Sequence, residues 1–251
     1  MGDVVSLIVP KSLINAPEFN LTRDLMNGFS IRCILDFGEK GFKGVRIETI
    51  SFIIDTSSKI SETRVESYIT NNIRKLPQAY ITDGAYPYWL IYRDEQFDST
   101  ASKMEFGIFK VYRDRVITKS FTSPHGRFRV LKSRNIGNNC IIDIPDYDSY
   151  IDDISCFDVS KFLNTHSVLV PNLTYNPRAC FLPNNCIADG SVAILTLSDP
   201  NVAVTETDLD FYSTEQFSTF YSVARNKGTR SLNIDNNSVF FFGKQKKHDE
   251  I

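Results

Sequence analysis

The chain is poor in the residues that ordinary active-site chemistry needs: one tryptophan, three histidines and five cysteines in 251 residues. No apolar run approaches the ~18–20 residues of a bilayer crossing, and no basic stretch precedes the first apolar one in MGDVVSLIVPKSLINAPEF, as a secretory leader would require. A membrane partner is therefore not expected, and a cytoplasmic location is. Cys33, Cys140, Cys156, Cys180 and Cys186 form no Cys-x-x-Cys, and the nearest pair has no histidine beside it. That spacing suits neither zinc nor a disulfide framework, only small thiols in a reducing compartment. His125, His166 and His248 are scattered, and no Gly-x-Ser-x-Gly elbow occurs. No Asp or Glu stands two places before any lysine, so the acid–x–lysine arrangement of many metal-dependent nucleases is missing. Neither catalytic nor metal-binding residues are expected.

What is present is segregated charge. The formal net charge is only −2, yet Lys110, Arg113, Arg115, Lys119, Arg127, Arg129, Lys132 and Arg134 stand against a single acid, Asp114. Asp143, Asp146, Asp148, Asp152, Asp153 and Asp158 follow with no base among them. A basic stripe beside an acidic segment suits a local polyanion site in a near-neutral protein, and equally a solvated loop.

Residues 4–9 (VVSLIV) read as a buried strand stopped by Pro10. A helix should follow, capped at Asn15, with Leu21, Leu25 and Met26 as its apolar stripe and Asn27-Gly28 as its end. IRCILDF (31–37) and VRIETISFII (45–54) read as further strands, so the start of the chain resembles the tail of an α/β layer. So short a layer cannot cover its own edge, and its complement is expected from another chain or from later residues. Residues 59–106 read as a connecting region, with 64–76 either helix or strand and a helix over 94–105. From 107 to 251 short strands dominate (FKVYRDRVI, RFRVLKS, SVLVP, RACFLP, SVAILTL), broken by helices near 158–164 and 214–227. That pattern predicts an α+β domain.

The glycine loop GEKGFKG (38–44) joins strand to strand and is not a dinucleotide fingerprint. A flexible connection accounts for its glycines. Phe42 at its tip is a large ring in a glycine loop, which a base-stacking role would explain. Arg127 and Arg129 alternate on an expected strand and should share a face, so two guanidiniums could meet phosphates or a guanine edge together. Lys132, Arg134 and Asn135 follow. Asn172, Tyr175 and Arg178 occupy a proline-bounded loop, and Arg225, Lys227 and Arg230 lie at an expected helix C-terminus. There, basic residues also balance the helix dipole.

Several longer motifs resemble one group of enzymes. IVPKSLINAPEFNLTRDLM and ILDFGEKGFKGVRIETISFII are similar to the end of the catalytic domain of TaqI-like adenine-specific DNA methyltransferases of type II restriction–modification systems. YPYWLIYRDE, FKVYRDRVITK, RVLKSRNIGNN, VPNLTYNPRACFLP, DGSVAIL and ARNKGTRSLNIDNNSVFFFG resemble that group's target-recognition domain. RVLKSRNI followed later by GTRSLNI is also similar to the specificity subunits of type I systems. The resemblance implies a fold of α/β and α+β parts. Residues 1–58 would be the C-terminal remnant of a Rossmann-like methyltransferase sheet, 59–106 a connecting region, and 107–251 a target-recognition domain. It implies that Phe42 stacks on an extruded adenine and that double-stranded DNA is the partner. The family's methyl-donor segment and its Asn-Pro-Pro-Tyr are absent, so S-adenosylmethionine would bind in the complete enzyme and not in this chain. A catalytic N-terminal half, on the same or a separate chain, would then be a second partner. A self-sufficient S-adenosylmethionine-dependent methyltransferase and a non-catalytic interaction scaffold are the alternatives.

Overall fold

Runs of Val and Ile build the first of two units in the computed structural model, which describes residues 3–44, 46–173, 175–229 and 233–246. This unit comprises Met1–Asp98 together with Ser222–Ser231. Strand β1 (Val4–Pro10), helix α1 (Asn20–Asn27), and strands β2 (Ser30–Gly38), β3 (Thr49–Asp55), β4 (Glu62–Ser67) and β5 (Asn72–Pro77) follow in order. The sheet order is β1-β3-β2-β4-β5. Only β2 and β4 run parallel; the other neighbours are antiparallel. Helices α2 (Gln78–Ile81) and α3 (Glu95–Ala101) come next along the chain.

Three expectations change here. Strand β1 forms where expected, but it is an edge strand and is not buried: Val4 is 59% and Ile8 57% exposed. Its Val and Ile content selects extended backbone, whereas burial needs a neighbour on each side. Helix α1 starts later than expected, after Phe19 rather than Asn15, and turns Leu21 (82% exposed) and Leu25 (67%) outward. Met26 and Arg23 face inward instead, and the Arg23 guanidinium donates to the carbonyls of Leu13 at 2.8 Å and Ala16 at 2.9 Å. That arginine satisfies carbonyls of the 3₁₀ turn Lys11–Ile14 and its exit, which fixes the helix's rotation. Finally, the sheet does not stop at residue 58: β4 and β5 belong to it, and the compact unit runs to Asp98.

The segment Ser222–Ser231 is bonded into this unit, most deeply by one side chain. Buried Asn226 accepts the Ile91 N–H at 2.9 Å and donates to the Trp89 carbonyl at 2.8 Å, as a neighbouring strand's backbone would. Beside it, the Tyr88 hydroxyl donates to the Ala224 carbonyl at 2.8 Å.

The second unit comprises Ser99–Tyr221 with Leu232–Ile251. Its strands are β6 (Met104–Glu105), β7 (Phe109–Tyr112), β8 (Phe128–Leu131), β9 (Ser149–Ile151), β10 (Val168–Pro171), β11 (Cys180–Phe181), β12 (Cys186–Ala188), β13 (Val192–Leu197) and β14 (Lys244–Gln245). They form sheets ordered β11-β10-β13-β7, β12-β8-β9 and β14-β6. Five of these strands are the runs read from the sequence as strands. One core, including Val130, Leu131, Leu169, Ile187 and Ile194, packs the first two sheets together. Helices α4 (Glu206–Tyr212) and α5 (Glu215–Ala224) join an aromatic cluster in which Phe217 meets Tyr212, Phe220 and Phe242 at ring separations of 4.9–5.8 Å. Both units mix helix and strand, and among the described residues no helix is long and apolar enough to cross a membrane.

Candidate nucleic-acid interface

The basic stripe and the acidic segment meet at a cleft of about 1120 Å³ in the second unit. One wall is the loop from Ile117 to His125. Buried Asp114 starts it by accepting the N–H groups of Val116 (2.8 Å) and Ile117 (2.6 Å), an Asx turn that points the following residues outward. Ser123 and Tyr150 then exchange backbone hydrogen bonds at 2.9 and 2.8 Å, fastening the loop to β9. The floor carries Arg129 of β8, and Lys132 follows just beyond that strand. The opposite wall is the turn Ile144–Asp148. Asp146 takes φ 63° there, a left-handed conformation that Asp tolerates better than most residues. That turn presents Tyr147 between two cations: Lys132 Nζ lies 4.2 Å and the Arg134 guanidinium 4.8 Å from its ring centre. Lys132 Nζ also donates to the Tyr147 carbonyl.

Much of the expected charge segregation cancels locally. Arg129 reaches Asp143 at 2.5 Å and Asp148 at 2.7 Å. It therefore does not act beside Arg127, whose guanidinium instead lies over the Phe128 ring at 4.9 Å. Burial raises the carboxyl pKa of Asp148, but the Asn135 amide, the Ile144 N–H and Arg129 outweigh it and hold that group below the usual carboxylate range. Asn135 is wholly buried, donating to Asp148 at 2.6 Å and to the Ile142 carbonyl at 3.0 Å while accepting the Lys132 N–H at 3.0 Å. Each of its polar atoms has a protein partner, so it organises the cleft from behind and has nothing left for a base.

Asn172 and Arg178 are likewise structural. Asn172 is buried, accepts from Arg113 at 3.1 Å and donates to Asn233 at 2.8 Å. Arg178 donates to the carbonyls of Ile136 (2.6 Å), Ser133 (3.1 Å) and Asn176 (3.3 Å), which clamps the loop it sits in. Arg225 is buried in the first unit. Arg127, Arg134 and Tyr175 are exposed. Lys227 borders a pocket of about 130 Å³ in the first unit with Arg74, Asn72 and Tyr92, while Arg230 lies outside the described residues. Phe42 is 47% exposed on the loop between β2 and β3. Lys119 of the basic stripe belongs to the cleft, as do His125 and Tyr147, which were not expected there. The TSPHG turn between two basic runs was the available signal for His125.

Among the described residues of the first unit, the glycine loop is not followed by a helix. The Gly38–Gly44 loop runs from β2 straight into the approach to antiparallel β3, so no helix N-terminus stands behind it to meet a nucleoside or a carboxylate. Among the described residues no group of three His, Cys, Asp or Glu is placed to hold a metal ion. Burial pushes the Cys180 thiol up to about 12 and that of Cys186 upward as well, so both stay protonated and unreactive.

No family model matches the chain. Curated proteins give no sequence match either. Among solved structures the chain has a distant likeness to two restriction–modification enzymes. For the type IIG restriction endonuclease BpuSI the TM-score is 0.34 and the identity 13%, over 88% of this chain and 36% of that one. For the type IIL restriction-modification enzyme MmeI, solved in complex with DNA, the TM-score is 0.44 and the identity 11%, over 97% of this chain and 38% of that one. The chain thus spans well under half the length of either.

Proposed function

We propose that this chain is a DNA-recognition module of a restriction–modification system, acting in adenine methylation together with a catalytic partner that supplies the S-adenosylmethionine site. The observation that carries it is the cleft in the second unit, lined by Lys119 and Lys132, where Lys132 and Arg134 bring two cations to the Tyr147 ring. Flexible cations at the rim suit phosphates, which fix register. Arg129, bonded to both Asp143 and Asp148, orients carboxylates that offer acceptors to amino groups of cytosine or adenine. Asn135, Asn172, Arg178 and Arg225 drop out of the contact set, while Phe42 is kept as the ring for an extruded adenine. The resemblance of the sequence motifs to those of adenine-specific methyltransferases is what supports the assignment to methylation. The catalytic half as partner is supported by β1, an apolar edge with one side unpaired among the described residues; a Rossmann-like remnant rests on the single parallel pair β2–β4 and the resemblance of the motifs.

The test is binding of the chain to duplex DNA across a salt titration, with and without the catalytic half. Binding should weaken steeply with salt, and Lys132→Ala and Arg134→Ala should each lower the slope of log affinity against log salt by about one. A slope of zero, or equal slopes in all variants, sinks the proposal. A methyl group transferred from S-adenosylmethionine by the purified chain alone would instead favour an enzyme complete in itself.

A further inference from the structure

The loop that carries Phe42 is held by a residue from far along the chain. Thr229 donates its backbone N–H to Glu48 Oε1 at 3.0 Å and its hydroxyl to Glu39 Oε1 at 2.7 Å. Glu39 is the first residue after β2 and Glu48 the last before β3. One residue therefore grips both ends of the loop.

Beneath these ends the structure is rigid. Asp36 is fully buried; it accepts the Gly38 N–H at 2.9 Å and the Tyr92 hydroxyl at 2.6 Å, and pairs with Lys11 at 2.6 Å. Lys11 Nζ also lies 3.8 Å from Glu48, and the Lys11 N–H donates to the Glu48 carbonyl at 2.8 Å. Gly38 takes φ +55°, and a Cβ there would strike the Ile69 side chain, so the loop leaves β2 in one direction. Above, the ring at the tip is left half-exposed. Thr229 bonds to the glutamates at both ends of this loop.

Thr229 is itself placed with care. Asn226 docks on Trp89 and Ile91, and Asn226 and Lys227 both take φ 50°. Left-handed backbone at consecutive non-glycine residues persists only where its surroundings hold it. The Lys227 N–H donates to the Ser222 carbonyl at 2.8 Å and the Gly228 N–H to that of Arg225 at 3.0 Å, closing the turn that delivers Thr229. In the chain this segment is preceded and followed by residues of the second unit.

We infer that Thr229 is a positioning residue for Phe42, and that through it the Ser222–Ser231 segment sets the attitude of the stacking loop. The purpose assigned to the tether rests on the role proposed for Phe42; its existence does not.

Hydrogen exchange on the full chain, without DNA, separates the two. Thr229→Val removes the hydroxyl bond and keeps the shape, while Thr229→Ser keeps the donor. The amides at 40–44 should exchange about tenfold faster in the valine variant, as loss of one charged hydrogen bond predicts. They should return to the parent rate in the serine variant, with β2 and β3 unchanged throughout. A second readout places tryptophan at position 42 (Phe42→Trp): its acrylamide quenching should rise in combination with Thr229→Val. Loop amides at the parent rate, or loop and strands loosening together, overturn the tether. A loosened loop in a chain that binds no duplex DNA, with or without the catalytic half, upholds the tether and rejects the DNA role.

Discussion

Two strands of nearly the same composition have opposite fates in this molecule. In β1, VVSLIVP, no residue is classed as buried; in β10, VLVP, every residue is. The difference lies in neighbours: β10 sits between β11 and β13, whereas β1 pairs only with β3. Branched apolar side chains favour the extended backbone in both places, but they leave water only when another strand or layer meets them. Strand formation is thus a local property, and burial belongs to the assembly.

The comparison can be broken most directly in the core. Leu169→Ala in β10 should cost about 3 kcal/mol, whereas Ile8→Ala in β1 should cost less than about 1 kcal/mol. Denaturant titration at low protein concentration, followed by hydrogen exchange in each unit, measures both. Equal costs would mean that β1 is already covered in solution. Next comes the cleft: Asn135→Ala should destabilise the second unit by about 2 kcal/mol, because it leaves buried donors and acceptors unpaired. Lys132→Ala, at the rim, should leave that unit's exchange almost unchanged while weakening DNA binding.

A pH titration sharpens the same contrast. Asp148 has a folded pKa below its unfolded value, so its contribution is complete above the ordinary carboxylate range and is lost as pH falls towards the lowered folded value. Asp148→Asn should flatten the acid limb of second-unit stability below about pH 4, read by hydrogen exchange or circular dichroism. An unchanged limb would show that the Arg129 network is not coupled to folding. The smallest effect is expected from Ile8→Lys, which should shift stability by no more than about 0.5 kcal/mol. Light scattering should nonetheless show less self-association, since a charge on an open edge discourages strand pairing. Unchanged scattering would mean that the edge is not a sticky one.

How far the sequence could be read follows the same division. Five strands of the second unit were legible, β10 and β13 most plainly, because SVLVP and SVAILTL are continuous apolar runs bounded by turn formers. β4 and β5 were not, since ETRVES turns only Thr63, Val65 and Ser67 inward, two of them polar, and so carries almost no apolar signal. Helix α4 was missed although Thr205 and Asp208 form a capping box, with Asp208 accepting the Thr205 N–H at 2.9 Å. In the site, the location of the basic stripe was legible and the duty of each residue was not. Asn135 and Arg134 are neighbours in a short 3₁₀ turn, yet one is sealed behind the cleft and the other open to solvent. Residue type marks both as able to contact DNA; only the partners, Asp148 and the Lys132 and Ile142 backbone for one and the Tyr147 ring for the other, tell them apart.

The docking of Asn226 between Trp89 and Ile91 has a practical consequence for anyone wishing to exchange the second unit for another. Because that amide completes a unit whose other residues lie more than a hundred positions earlier, one splice near residue 98 would strand the Trp89 carbonyl and the Ile91 N–H without partners. A graft that folds needs two junctions, and the returning stretch from 222 to 231 has to travel with the recipient.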